Sequence, residues 1–442
     1  MKTTTVALTT LGCKVNQYES AAMKEALAAR GYRITAFRSK ADIYIINTCT
    51  VTGKTDYQSR QLIRRARKAN PAARIIVTGC YAQVSPDVPA QMPGVSLVLG
   101  NAEKHGIADF VDRVSGASPA TIIVADPNRE TCFKDPPLHS FPDHTRAFLK
   151  IQDGCESFCS YCIVPFARGR YRSLPPDEVL KRLFTLSEAG FREVVLSGIH
   201  LGAYGIDLTP RISLLSLLKA IDRDKPVPRV RLSSLEPMDI SPDLITFLAA
   251  SRTICPHLHL PLQSGDDGIL KLMNRPYRGA DFRALAHALR SAIPHLCLGT
   301  DLIAGFPGET EAQFRSTCEM LESLPISYAH VFPYSRREKT AAADFSGQVP
   351  QQTIKARSAV LRGIGAGKKR EFYAASLGRE LSVLVEGRAD GLPGHVRGWS
   401  TNYIPVVFEG PAALRNREVT VTAGRLEGEK VWAVYRDVPL NS

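Results

Sequence analysis

The sequence predicts an α/β chain made of a doubly wound parallel sheet, a partial (β/α)6 barrel and a small closed β-barrel. Three observations carry that prediction. Strand-length apolar runs alternate with helix-length stretches at the start of the chain. The same alternation restarts after a proline-rich interruption. Near the C-terminus the texture changes to short strands separated by glycine-bearing turns. A chain of 442 residues also exceeds what one hydrophobic core organises, so several domains are expected.

In the first part TVALTTLG, ADIYIINTCT and ARIIVTGC read as strands, with helices expected from about Asn16 to Arg30 and from about Asp56 to Asn70. SLVLGN and a helix after Ala102 continue the pattern to about Val114. This alternation fits a flavodoxin-like domain over 1–115. The next stretch holds Pro127, Pro136, Pro137 and Pro142 with little periodicity and reads as a linker over 116–143. Six strand candidates follow, RAFLKIQ, EVVLSG, RVRLSS, HLHLPL, LCLGTDLIAG and YAHVFPY, separated mostly by helix-length stretches such as Pro176 to Ala189. They suggest a partial TIM-like barrel over 144–376, with its chemistry at the C-terminal strand ends. ELSVLVEGR, YIPVVFEG, REVTVTAG and KVWAVYRD over 377–442 fit a small barrel of the oligonucleotide-binding sort.

The chain carries 56 basic against 43 acidic residues, a net charge of +13, which favours a polyanionic partner such as nucleic acid. Arg60, Arg64, Arg65, Arg67 and Lys68 fall on one predicted helix, several at three- or four-residue spacing. No apolar run has membrane-spanning length, and the Met-Lys-Thr-Thr-Thr start leads into a strand rather than a signal peptide, so a cytoplasmic protein without a membrane partner is expected. Ten cysteines in so long a chain do not suggest a secreted disulfide framework, and six of them sit in patterns suited to metal ligation.

The strongest pattern is FLKIQDGCESFCSYCIVPFARGR, which sets Cys155, Cys159 and Cys162 in a C-x3-C-x2-C array directly after a strand. Three thiolates on one loop can hold three irons of a 4Fe-4S cluster and leave the fourth open. An open iron can chelate the amino and carboxylate groups of S-adenosylmethionine, whose reductive cleavage releases a 5′-deoxyadenosyl radical. A structural zinc site would need a fourth ligand, such as His139 or His144 upstream. Cys13, Cys49 and Cys80 are far apart in sequence, yet each ends an apolar strand. Neighbouring strands of a doubly wound sheet open on one crevice, so these three can converge on a second cluster. Cys132, Cys255, Cys297 and Cys318 are expected to be buried small hydrophobes.

With the triplet in place, the barrel segment resembles the radical S-adenosylmethionine superfamily. Tyr161 matches the aromatic position near the adenine, and Gly198 in LSGIHLGAYG matches the loop that meets the methionine amino group. Ser234 and Glu236 in RLSSLEP match the ribose-side segment, and Ile303 and Gly305 in GTDLIAGFPGE match the late strand that passes the adenine.

LGCKVNQYES, NTCTVTGKTDYQSRQLIRR, VTGCYAQ, CSYCIVPFARGR, HLHLPLQSG, IAGFPGET and HVFPYS extend the resemblance to the methylthiotransferases over nearly the whole chain. Lys14-Val15-Asn16 resembles the branch acting on N6-threonylcarbamoyladenosine at tRNA position 37, 3′ of the anticodon. Leu174, where many relatives have arginine, and Asp266, where serine is common, depart from the pattern.

The resemblance implies two 4Fe-4S clusters and two S-adenosylmethionine molecules, one the methyl donor and one the radical source. It further implies a tRNA anticodon stem-loop as substrate, methylthiolated at adenine C2, an electron donor such as flavodoxin or ferredoxin, and a sulfur source. The C-terminal barrel is similar to the TRAM RNA-binding domain, where Arg397, Trp399, Asn402 and Tyr403 suit base stacking and phosphate attraction, while Trp399 reads equally as an aromatic filler of the barrel core. Methylthiolation of another tRNA adenosine derivative or of a ribosomal protein side chain, and an iron–sulfur RNA-binding or iron-sensing protein without catalysis, stand as alternatives.

Overall fold

The computed structural model describes residues 3–113, 119–139, 141, 144–389 and 391–436. Its first sheet contains β1 (Thr5–Thr10), β2 (Arg33–Thr35), β3 (Ile43–Thr48), β4 (Arg74–Gly79), β5 (Val95–Leu99) and β6 (Thr121–Ile123). All pair in parallel in the order β2-β1-β3-β4-β5-β6. Alternation along each strand feeds two cores. Val6, Leu8 and Ile45 pack with Met23 and Leu27 on one face, while Ala7, Tyr44 and Ile46 pack with Ile63 and Ala66 on the other. The order reverses direction between β1 and β3, and this is where a doubly wound sheet opens a crevice at its C-terminal strand ends.

β6 corrects the linker expectation, because Thr121–Ile123 closes the sheet edge against Leu97–Leu99. Three β-branched residues are too short a run to show a period, and the surrounding prolines masked them.

Next come β7 (Arg146–Lys150) and the short antiparallel pair β8 (Gln152–Asp153) and β9 (Arg172–Ser173). β10 (Glu193–Ser197), β11 (Arg229–Leu232), β12 (His257–His259), β13 (Cys297–Ala304) and β14 (Tyr328–Pro333) follow. The strands form two parallel half-sheets, β11-β10-β7 and β12-β13-β14. A parallel bridge between Val230 and Ile254 joins them. All six strand candidates appear as barrel strands. Leu149, Val194, Leu196, Val230, Leu258 and Leu298 face the surrounding helices in one large apolar core. The alternate positions, Arg146, Glu193, Arg231, His257, His259 and Asp301 among them, bear polar side chains. Branched aliphatic side chains dominate the interior of an ordinary TIM barrel. Here the lumen is polar.

The helix Gln351–Ala374 leads to β15 (Glu380–Arg388), β16 (His395–Ser400), β17 (Pro405–Glu409), β18 (Glu418–Glu427) and β19 (Lys430–Tyr435). These close a barrel in the order β15-β16-β17-β19-β18 around Val383, Val385, Val406, Phe408, Val421 and Val431. Among the described residues no helix is long and apolar enough to cross a membrane.

Candidate functional site

β8 and β9 frame the loop that carries Cys155, Cys159 and Cys162. Gly154 enters it at a φ of 78°, where a Cβ would lie 1.7 Å from the Arg170 carbonyl oxygen, so only glycine can start the turn. The Cys155 N–H donates to Gly169 O at 3.0 Å and the Cys162 N–H to Cys159 O at 2.9 Å. Ser160 fastens the middle of the loop, with Oγ donating to Leu272 O at 2.7 Å and N–H to Met273 O at 3.1 Å.

Two cations face the sulfurs. His200 Nδ1 lies 3.8 Å from Cys155 Sγ, and its Nε2 lies 2.9 Å from Asp239 Oδ2. Burial opposes the charged imidazole, but the bonds to Asp239 and Cys155 raise its pKa to about 10. Arg275 donates from Nη1 to Cys159 Sγ at 3.3 Å and pairs closely with Glu236. Burial pushes the Cys162 thiol up to about 12. The Cys155 thiol is also raised by burial, but hydrogen bonds with His200 and Ser157 outweigh this and leave it below the ordinary value. Positive charge beside Cys155 and Cys159 lowers the cost of collecting thiolates in one place.

His139, one of the zinc candidates, instead pairs with Glu25 at 2.7 Å. His144, the other, packs on the Phe141 ring at 4.9 Å. Among the described residues no three His, Cys, Asp or Glu side chains converge tightly enough to hold one metal ion. Sulfurs that each bind a different iron of a cluster need no such convergence.

The other positions matched to nucleotide-binding segments surround this loop. Tyr161 packs in one cluster with Ile303, Met273 and Phe306. A side chain at Gly198 would meet Gln152, whose Oε1 accepts from the His200 N–H at 2.8 Å. Gly305 has a φ of 75° and its N–H donates to Glu309 at 2.9 Å. Glu236 is the carboxylate partner of Arg275, and Ser234 is exposed. The two departures have ordinary roles. Leu174 is buried in the barrel core, and Asp266 caps the helix Asp267–Leu272 through the Ile269 N–H at 2.9 Å.

Cys13, Cys49 and Cys80 stand at the ends of β1, β3 and β4, on both sides of the switch point. Gly12 adopts a φ of 107°, and a Cβ there would come within 2.8 Å of Cys49 Cβ, so glycine lets the first cysteine loop close on the second. Burial and then the neighbouring Cys80 and Cys13 sulfurs push the Cys49 thiol up to about 12. The fold thus sets the three strand ends side by side at the switch point. Of the remaining cysteines, Cys255 and Cys297 are buried and Cys318 is half-buried, but Cys132 is exposed, against expectation, because it lies in the irregular segment after β6.

A buried charge network joins the two sets. Glu19, 2% exposed, pairs with Lys104, Lys150 and Arg168. Arg168, at the end of the helix after Cys162, also reaches Asn16 Oδ1, just after Cys13. Lys150 adds Asp135 and Asp153, each at 2.7 Å. Burial alone would raise the Glu19 carboxyl, but Arg168, Lys104 and Lys150 outweigh it and hold it well below the ordinary range. Sequence reading missed His200, Arg275, Glu19 and Arg168. Only His200, two residues after Gly198 at a strand end, carried a visible signal.

At the other end of the barrel, Trp399 and Tyr403 stack on each other at 4.5 Å, and Arg146 and Arg231 lie over their rings. Asn402 Nδ2 donates to His295 O at 3.3 Å. These faces are engaged by the barrel floor, while Arg397 on β16 is exposed.

Comparison with known proteins decides the family. Residues 5–100 match the model described as uncharacterized protein family UPF0004, and residues 149–321 match the radical SAM superfamily. The threonylcarbamoyladenosine tRNA methylthiotransferase MtaB of Bacillus subtilis is 38% identical over 94% of this chain and 93% of its own length. The chain belongs to the radical S-adenosylmethionine methylthiotransferases. A tRNA-2-methylthio-N(6)-dimethylallyladenosine synthase of Moorella thermoacetica is 33% identical over 97% of this chain and 98% of its own. Among solved structures, the radical S-adenosylmethionine methyltransferase TsrM of Kitasatospora setae is 14% identical with a TM-score of 0.56, covering 75% of this chain and 73% of that one, and it supports the fold alone. As a radical S-adenosylmethionine methylthiotransferase the chain requires S-adenosylmethionine and a 4Fe-4S cluster, and the Cys155 loop is a donor set that fits one.

Proposed function

We propose that this methylthiotransferase modifies C2 of N6-threonylcarbamoyladenosine at tRNA position 37, holding a radical-generating cluster on Cys155, Cys159 and Cys162 and an auxiliary cluster on Cys13, Cys49 and Cys80. The observation that supports it best is the pair of cysteine triplets locked together through Glu19 and Arg168 at the top of a polar lumen. The chemistry those groups supply when bound is reductive cleavage of S-adenosylmethionine at one and delivery of methylated sulfur at the other. The protein's own contributions are positional. Ser160 and Gly154 hold the first loop in shape, and His200 and Arg275 offset the charge of its thiolates. Tyr161 and Ile303 offer an apolar wall for an adenine, and Gly198 keeps the approach to that loop open.

The substrate assignment draws on the Lys14-Val15-Asn16 motif and on similarity to proteins named for threonylcarbamoyladenosine in Bacillus subtilis and Aquifex aeolicus. The tRNA partner accords with the net charge of +13 and with the exposed Arg64, Arg65, Arg67 and Lys68 on the helix Gly53–Ala69. Arg397 extends the basic surface on the C-terminal barrel, whereas Trp399, Asn402 and Tyr403 fix that barrel to the floor of the lumen and reach RNA only through its edge. A cytoplasmic electron donor and a sulfur source complete the reaction. Nucleoside mass spectrometry of tRNA from cells lacking the gene tests the reading. Loss of the 2-methylthio derivative with accumulation of N6-threonylcarbamoyladenosine is expected. An unchanged nucleoside profile, or a change confined to ribosomal proteins, would overturn it.

A further inference from the structure

Among the described residues, the arginine and lysine side chains that line the lumen face carboxylates with one exception. Arg231 makes two bonds to Glu193, at 2.7 and 3.1 Å. Arg146 holds Glu386 at 2.9 Å, and Arg229 holds Glu418 at 2.7 Å. Lys14 is the exception. It is half-buried, follows Cys13 directly, and its side chain makes no hydrogen bond or ion pair among the described residues. The charges of Arg231, Arg146, Cys13 and Glu193 all act on its ammonium, so Lys14 lies within electrostatic reach of the lumen, at the end of β1. It is also the first residue of the helix Lys14–Ala29, whose positive end adds to the local potential. A half-buried ammonium among other cations is costly unless a ligand answers it. Each of the three arginines holds a carboxylate directly, and the Lys14 ammonium holds none.

We infer that Lys14 is the specificity residue of this chamber and that it binds the threonyl carboxylate of the substrate nucleoside. This inference rests on the function proposed above. The carbamoyl arm leaves the same six-membered ring that carries C2. An adenine presenting C2 to the Cys13 side therefore brings its carboxylate toward the residue next to Cys13. A single carboxylate matches a single unpaired charge, and the tRNA phosphates have the exposed basic helix instead. The methionine carboxylate of S-adenosylmethionine is the other anion of the right class, and the test separates the two.

The experiment compares anticodon stem-loops bearing N6-threonylcarbamoyladenosine or its carboxamide analogue, in the wild-type holoenzyme and in Lys14→Gln and Lys14→Arg. The ratio of kcat/KM between the two substrates is taken within each protein, so any loss of active enzyme cancels. The wild type should favour the carboxylate by about tenfold to a hundredfold, the range of one charge-assisted hydrogen bond. Lys14→Gln should bring the ratio close to one, and Lys14→Arg should restore much of it. The KM for S-adenosylmethionine in uncoupled 5′-deoxyadenosine formation should not move. A ratio retained in Lys14→Gln, or a rise in that KM instead, would overturn the carboxylate role while leaving the proposed function standing. A wild type that modifies neither stem-loop would overturn the function itself and this subsite with it.

Discussion

The loop carrying Cys155, Cys159 and Cys162 and the three strand ends carrying Cys13, Cys49 and Cys80 differ in how the chain assembles them. The first is local. All three sulfurs lie on one loop of eight residues started by Gly154, which Ser160 then pins to Leu272 and Met273 in the barrel, and cations face two of them. The second exists only once β1, β3 and β4 lie side by side, and Gly12 must adopt a left-handed conformation to bring its loop against Cys49. A local ligand set can be read as a motif. A topological one can be read only through the sheet order. The second set therefore depends on the stability of its whole domain, and the Glu19 network fastens that domain to the barrel.

The largest effect expected from breaking this arrangement comes from the local set. Replacing Cys155, Cys159 and Cys162 together by alanine should abolish both 5′-deoxyadenosine and methylthiolated nucleoside, measured by mass spectrometry after anaerobic reduction with S-adenosylmethionine and tRNA. Retention of either product would separate the loop from radical generation. The same triple change at Cys13, Cys49 and Cys80 should remove only the methylthio product, with 5′-deoxyadenosine still formed by uncoupled cleavage. Circular dichroism must show a folded protein, since lost ligands can also unfold a domain.

Glu19→Gln probes the joint between the sets. It leaves Lys104, Lys150 and Arg168 without one shared carboxylate in a buried site, and a loss of about 3–5 kcal/mol is expected in chemical denaturation. Because the folded Glu19 carboxyl sits well below its ordinary value, its contribution is complete above about pH 4–5 and fades as the pH falls through the lower folded value. The wild type should therefore lose stability on acidification more steeply than Glu19→Gln, and parallel acid profiles would contradict the network. Trp399→Ala should have the smallest effect, about 1–2 kcal/mol of stability from the lost stacking on Tyr403 and Arg146, with iron content unchanged. A large loss of iron would mean that the floor of the lumen supports the cysteine loops, which lie at its other end.

Much of this architecture was legible because period and punctuation agree with it. The six barrel strands all carry an apolar run, and the triplet follows the first of them. β2, β6 and β16 were not legible. Arg33–Thr35 and Thr121–Ile123 are too short to alternate, and His395–Ser400 buries Val396 and Ser400 around a glycine rather than a row of large apolar residues. The charge partners were hidden for a different reason. Glu19 lies 149 residues from Arg168, and Arg275 lies 116 residues from Cys159, separations that no local pattern records. Trp399 and Tyr403 show the same limit. Their composition fits RNA stacking equally well, and only the fold shows that Arg146 and Arg231 occupy their faces.

That one chain carries two clusters, one assembled by a loop and one by a sheet, is the central claim, and iron stoichiometry after anaerobic reconstitution tests it most directly. The wild type should bind about eight irons with a matching amount of sulfide, and each triple cysteine variant should bind about four. A wild type that holds about four irons, with no change when Cys13, Cys49 and Cys80 are replaced, would contradict the claim.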